Sequence, residues 1–452
     1  MTNLSGANLN NGAAVGPQGE GKESSSNFPA YPAYKDSGVE WLGEVPEHWT
    51  VIAIKWLSPV FRGASPRPID DPIYFDDEGE FGWVRIADVT ASPDGYLYET
   101  TQKLSALGSS LSVKLDPGEL FLSIAGSVGK PCITKIKACI HDGFVYFPWL
   151  SIDQRLLYRI FESGLCFGGL GKMGTQLNLN TDTVGGICIA VPPAPELSKA
   201  LAFLDHETAR IDALIEEQQR LIELLKEKRR GIVLSALSDT SLPLVRIGHA
   251  VDVISRPVKQ REDESYTPIG LFNRDRGLFH KEPREMQDMG DSDFFWIKSG
   301  DLIISGQFAW EGAVAMAGES EEGLVVSHRY PVLRGKHGVA NTEYLYAILT
   351  TKHGDFLLNE SSRGAAGRNR PLNLAALLKE KIRIPSKEIQ EQVSNLVQNE
   401  AKVLTECRQQ ISLLQERRSA LISAAVTGKI DVRGWQPPAS TQAPKLEVVE
   451  AN

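Results

Sequence analysis

The feature that most constrains this chain is a long internal repeat. The segment Ile222-Glu223-Leu224-Leu225-Lys226-Glu227-Lys228-Arg229 returns 189 positions later as Ile411-Ser412-Leu413-Leu414-Gln415-Glu416-Arg417-Arg418. Upstream, Leu177-Asn178-Leu179 returns as Leu372-Asn373-Leu374, and Ile189-Ala190-Val191-Pro192 as Ile382-Arg383-Ile384-Pro385. Further back, Pro117-Gly118-Glu119-Leu120-Phe121-Leu122-Ser123 resembles the run from Lys298 to Ser305, an acidic turn entering a buried strand. Solenoid units repeat every 20 to 50 residues or so, and this period is far longer. The chain therefore carries a duplicated domain, and 452 residues give room for two halves with extra helical length.

Each half ends in a heptad pattern. Val397, Glu400, Leu404, Cys407, Ile411, Leu414, Arg418, Leu421 and Ala425 fall at alternating steps of three and four. The same seam in the first half reads Thr208, Ile211, Ile215, Gln218, Ile222, Leu225, Arg229, Ile232 and Ala236. Both predicted helices open at a proline, Pro195 and Pro385, and the second closes near Gly428. Two equal seams in one chain favour their pairing with each other. Arg229 and Arg418 interrupt the seams at equivalent positions, and a buried unpaired charge is strongly unfavourable. Each is expected to find an acid on the opposite helix, with Glu400 and Glu207 the nearest in an antiparallel pair.

Ahead of each helix the pattern is mixed α/β. In the first half β-rich runs at 119–125, 144–150 and 186–191 surround a predicted helix at 152–162. In the second half, runs at 301–304, 323–333 and 381–384 surround a predicted helix at 342–358. Residues 1–30, rich in Gly, Ser and Asn, cannot bury enough surface to offset ordering entropy and are expected to be disordered. The domains expected are 31–192 and 241–385, with helices over 193–240 and 386–430 and a tail over 431–452.

Composition narrows the function. No apolar run approaches the roughly 18 residues of a membrane span, so a cytoplasmic location is expected. Cys132, Cys139, Cys166, Cys188 and Cys407 form no CxxC pair, which fits a reducing compartment and gives no metal site. The formal net charge of −9 confines any nucleic-acid contact to local basic patches. Val191-Pro192-Pro193-Ala194 lacks the amide and the aromatic ring of an amine methyltransferase motif. Gly126-Ser127-Val128-Gly129-Lys130-Pro131 lacks the first glycine and the Ser/Thr of a phosphate-binding loop. His141-Asp142-Gly143 reads as a turn, and His206-Glu207 has no zinc-protease frame. No catalytic residue is assigned.

Two loops stand out instead. The run from Phe167 to Gln176 includes Lys172, Thr175 and Gln176, and the run from Ser361 to Pro371 includes Arg363, Arg368, Asn369 and Arg370. They occupy the same place in both halves. Glycine lets backbone approach a phosphate, while Arg, Gln and Asn can pair with base edges. Arg62, Arg67, Lys130, Arg274 and Arg276 are further candidate DNA contacts.

The strings from Tyr34 to Trp49 (YKDSGVEWLGEVPEHW) and from Phe203 to Asp212 (FLDHETARID), with the Leu-Leu-Lys-Glu-Lys-Arg helix, resemble the specificity subunit of type I restriction-modification systems, over about residues 31–435. The chain departs from that pattern at Pro195-Glu196-Leu197, where a Pro-Glu-Gln is usual. The resemblance implies an α+β fold of two pseudo-repeated target-recognition domains, each followed by a long helix, the two helices pairing as an antiparallel coiled coil. It also implies a non-catalytic subunit that reads a bipartite target on double-stranded DNA. Modification (methyltransferase) subunits, two of them, and restriction subunits would be its partners. S-adenosylmethionine, ATP and Mg2+ would serve those partners, and this chain would hold no cofactor. Two other readings stay open: a coiled-coil adaptor joining two protein-binding domains, and a stand-alone nuclease.

Overall fold

The computed structural model describes residues 28–92, 94–170, 179–259, 265–274, 276–285, 292–362 and 370–437. They form two compact units, one running to Leu214 and resuming at Ser412, the other spanning Ile215–Ile411. Each unit holds one α/β domain and a stretch of both long helices.

In the first unit a sheet runs in the order Phe61–Arg62, Phe144–Tyr146, Leu120–Ser123, Pro131–Thr134, Tyr96–Leu97. A second sheet is ordered Gln102–Leu104, Phe81–Val84, Ala138–Ile140, Val113–Leu115. Phe121, Phe144, Cys132, Ile140, Leu115 and Val84 fill the core that the two sheets share. Leu120–Ser123, Pro131–Thr134 and Ala138–Ile140 are buried at every position, the pattern of short apolar strands covered on both faces. The expected strand over 144–150 stops at Tyr146. Pro148 has no N–H to continue the ladder, and Trp149 sits at φ 57.

The second unit repeats the plan. Its main sheet is ordered Val251–Ile254, Val332–Gly335, Leu302–Ile304, Val314–Met316, the same order and antiparallel sense as the first four strands of the other domain. A two-stranded ladder of Cys188–Val191 on Thr50–Ala53 recurs as Lys381–Arg383 on Leu244–Arg246. The expected strand over 323–333 is two strands, Val325–Ser327 and Val332–Gly335, parted by a turn in which Tyr330 N–H donates to Ser327 O. The expected helix over 342–358 is also two, Thr342–Leu349 and Lys352–Glu360. Thr351 breaks it by capping the second helix, accepting from Gly354 N at 3.2 Å.

The Leu-Asn-Leu repeat is corrected by two residues. Asn180 caps the helix Thr181–Gly186 and Asn373 caps Leu374–Leu377, so Leu179-Asn180 matches Leu372-Asn373. Asn178 lies outside the described residues.

The first long helix is Ala194–Ser238 and the second Lys387–Val426, closed by Gly428 at φ 70. In the first unit Asp212 meets Arg418 while Lys199 reaches the carbonyl of Arg433, so the chains run antiparallel. In the second unit Arg229 meets Glu400, and Val233 shares a core with Val397 and Val393. The seam positions are buried or half-buried along both helices, with exposed neighbours between them. The α+β layout with antiparallel helix pairing is therefore the fold that this chain adopts.

The two ends of the chain close the first unit together. Tyr31 O–H donates to Glu196 Oε1 at 2.6 Å, Trp49 Nε1–H to the same oxygen at 2.7 Å, and His48 Nε2 lies 2.8 Å from Oε2. Burial opposes the charge on Glu196, yet these donors hold its carboxyl below the usual range. Asp431 N–H donates to Pro29 O, and Phe203 sits between Phe28 and Trp435 at 4.9 and 5.5 Å. The chain thus stays packed from Phe28 and through Trp435, inside the stretches expected to be tails.

Candidate nucleic-acid interface

In the first unit three of the candidate basic residues, Arg62, Arg67 and Lys130, belong to neighbouring loops at one end of the five-stranded sheet. The Phe61–Arg62 strand leads into a loop held against the 141–143 turn: Gly63 N–H donates to Phe144 O and Ala64 N–H to Ile140 O. Asp142 organises that loop. Its carbonyl accepts from Arg62 Nε, and its carboxylate takes Ser65 Oγ and Arg67 Nη2 at 3.0 Å each. Arg67 remains 74% exposed. His141 turns inward, and burial holds its imidazole below the usual value.

The 124–130 loop lies beside this turn, since Ile124 N–H donates to Gly143 O at 2.8 Å. Lys130 belongs to it, and its ammonium donates to Thr90 O at 3.3 Å. Gly129, at φ 84, packs under the ring of Phe167, where an added Cβ would come within 3.0 Å of the ring. The glycine-rich run from Phe167 therefore starts on this loop. Lys172, Thr175 and Gln176 lie outside the described residues.

The second unit builds the equivalent end from the 305–313 loop. Gly306 N–H donates to Arg329 O at 2.7 Å, and Ser305 N–H to Ala313 O, as Ile124 and Ser123 do in the first unit. The second arginine-rich run returns to the same loop: Leu372 N–H donates to Gly306 O at 2.8 Å, and the Arg370 guanidinium lies 5.2 Å from the centre of the Trp310 ring. Arg363, Arg368 and Asn369 lie outside the described residues.

Arg274 reaches the same place from another loop. It sits at φ 59 with its N–H on Glu311 O at 3.0 Å, while Asn273 donates to the Glu311 carboxylate. Arg276 lies over Phe272 at 5.2 Å and donates through Nε to Asn273 O. Arg274 and Arg370 thus converge on the short helix Ala309–Glu311. By contrast Arg256, which follows the strand Val251–Ile254, is committed to the buried carboxylate of Asp301, as is Arg334.

Several residues here escaped sequence reading. The sequence shows Asp142 only as part of a turn and Asp301 only as the acid of a turn entering a strand, and it gives Trp310 and Asn359 no role. The position of Trp310 in the loop equivalent to Gly126–Lys130 was the available signal. Trp56 and Trp149 were also unread; they are 75% and 83% exposed. They flank two hydrogen bonds, from Ser151 N–H to Leu57 O and from the Ser58 hydroxyl to Pro148 O, at the opposite end of the Phe61–Arg62 and Phe144–Tyr146 pair from Arg62. Among the described residues no group of three His, Cys, Asp or Glu side chains is placed to hold a metal ion, and no helix is long and apolar enough to cross a membrane.

No family model matches the chain. It is similar to the S subunit of a type I restriction-modification system from M. genitalium, at 13% identity and a TM-score of 0.45, with 84% of this chain and 96% of that chain covered. It is similar also to a chain from a structure of a type I R-M system in complex assembly and conformational transition, at 16% identity, a TM-score of 0.48, and coverage of 85% and 99%. The HsdS subunit from Thermoanaerobacter tengcongensis is similar at 14% identity, a TM-score of 0.40, and coverage of 85% and 98%.

Proposed function

We propose that this chain is the non-catalytic specificity subunit of a type I restriction-modification complex, reading a bipartite target on double-stranded DNA. The observation that carries the reading is the repeated placement of the two recognition runs. In both units the described end of such a run, Phe167 in one and Arg370 with Leu372 in the other, meets the hairpin loop at the same place in the same four-stranded order. Duplicated loops of this kind suit two half-sites, each read by one domain. Exposed arginines supply local positive potential despite the negative net charge.

In this reading adenine methylation and DNA cleavage belong to partner modification and restriction subunits, which use S-adenosylmethionine, ATP and Mg2+. The exposed Trp56 and Trp149, at the sheet end away from the arginines, suit docking of a modification subunit, because aromatic side chains are enriched at protein interfaces. The adaptor reading is disfavoured by the arginines at both loop ends, which a purely protein-binding module has no reason to duplicate.

The test is a domain exchange in the complex with its modification subunits. Replacing residues of about 46–192 by those of a related chain should change one half of the methylated sequence, and replacing about 244–385 the other. A chimera that alters both halves, or neither, overturns the assignment of one domain to each half-site.

A further inference from the structure

Arg370 is held by three different groups. Its Nε–H donates to Ser362 O at 3.1 Å, its Nη2 donates to the side-chain oxygen of Asn359, and its plane lies over the Trp310 ring at 5.2 Å. Nη1 makes no hydrogen bond among the described residues. A guanidinium has two donor edges, and here the side edge is taken by protein while the end has no partner among the described residues.

Trp310 is an odd choice if packing were its purpose. Its indole N–H is buried and has no acceptor among the described residues. Leaving a buried donor unmade is unfavourable, and a purely apolar side chain would avoid that cost. What tryptophan alone adds is the strongest ring face for a cation. The ring is therefore oriented for its face, and the face is under Arg370.

We propose that Trp310 and Asn359 are positioning residues that preset Arg370 so that its open Nη1 end reads a pair of acceptors on one base pair of the half-site bound by the second domain. This rests on the DNA-reading role proposed above and adds to it the residues that fix one recognised position. A preset arginine loses less freedom on binding, so its contact discriminates between bases where a free surface arginine would only follow the phosphates.

The experiment uses the full chain assembled with its modification subunits and a randomised duplex pool, from which base preference is read at every position. Trp310→Phe removes the orphaned N–H but also part of the ring, so it should stay folded with a stability close to that of the wild type, yet lose preference at one base pair. Arg370→Lys keeps the charge without the fork and should lose preference at that same base pair, by about 5- to 150-fold, as for one bidentate contact. Asn359→Ala should act in the same direction. Preferences in the other half-site should stay unchanged in all three.

If the wild type selects a bipartite sequence and the variants select it with the same preferences, the positioning role is wrong and the DNA-reading role stands. If the wild type selects no sequence, the DNA-reading role itself falls. A loss of preference spread over both half-sites, tracking a fall in stability, also overturns the proposal.

Discussion

Arg229 and Glu400 form an ion pair at 3.1 Å in the seam between the two long helices, with 2% of either side chain exposed. The Arg229 guanidinium also lies 5.0 Å from the ring centre of Tyr346 and donates to its hydroxyl at 3.3 Å, which ties the seam to the domain helix Thr342–Leu349. Arg418, its counterpart in the repeat, plays the same part in the first unit. It bonds Asp212 across the seam and Glu162 on the domain helix Gln154–Ser163, each at 2.9 Å. Each seam arginine is thus the joint between helix pair and domain.

Removing one partner of the buried pair should be costly. Glu400→Ala takes the facing acid from the buried Arg229 guanidinium, which keeps its contact with Tyr346, and is expected to destabilise the chain by up to about 3 to 5 kcal/mol. The double change Arg229→Met with Glu400→Leu removes both charges and should recover most of that loss. Urea unfolding of the three chains checks this; a double variant no more stable than Glu400→Ala would show that the pair, and not the orphaned charge, sets the stability.

These joints mark how far the sequence was legible. Heptad spacing places a charge in the seam, and antiparallel pairing brings Glu400 to Arg229. The same reasoning offered Glu207 to Arg418, but Glu207 bonds its neighbour His206, and Asp212 together with Glu162 takes the arginine. Glu162 comes from a domain helix, which a seam pattern cannot report. Strand and helix ends are hidden where a single residue decides: Trp149 at φ 57 follows the end of a strand and the Thr351 cap splits a helix, within runs that remain continuous in sequence. The interface was legible as residue types at repeated positions. Its clamps were not, because Asp142 with Arg67 and Arg370 with Trp310 are distant in sequence and meet only through the sheet order.

The Asp301 carboxylate gives the second unit an acid-sensitive core. It is fully buried, which alone would raise its pKa, but Arg256, the Lys298 N–H and Arg334 donate to it and hold it below the usual carboxylate value. A folded-state pKa below the unfolded value of about 3.9 means stability that is present above that pH and lost as pH falls through the folded value. Asp301→Asn should therefore destabilise the chain at pH 7, with the deficit shrinking toward pH 3. A deficit that stays constant across that range would mean that the carboxylate charge contributes nothing.

Arg67 pairs with Asp142 on the surface, where such a pair is worth little and a phosphate can replace the carboxylate. Arg67→Ala should weaken DNA binding by the assembled complex equally for all sequences and reduce the slope of log affinity against log salt by about one. Asp142→Asn should strengthen binding at low salt, since it removes the competing charge. Anisotropy titrations over a range of salt concentrations decide the matter, and an unaltered slope in Arg67→Ala would take this arginine off the phosphate path.

Trp149 combines two unfavourable features, an 83% exposed indole and a left-handed backbone at φ 57, neither of which serves the stability of the chain. Large side chains rarely adopt that conformation, whereas asparagine tolerates it. Trp149→Asn should consequently fold with a stability within about 1 kcal/mol of the wild type. Trp56, 75% exposed at the end of the short helix Ile54–Trp56, extends the apolar surface, and Lys55 lies 5.6 Å from the centre of its ring. Tryptophans at the centre of an interface typically contribute about 2 kcal/mol or more, roughly a 30-fold change in affinity. Combined Trp56→Ser and Trp149→Asn should therefore weaken association with a modification subunit by at least that factor, while the base preferences of the complex, assembled at high concentration, stay as they were. Sedimentation titrations give the affinity and methylated-site mapping gives the preferences. Full-strength assembly by the double variant would remove this face from the partner interface, and a changed target sequence would move it to the DNA side.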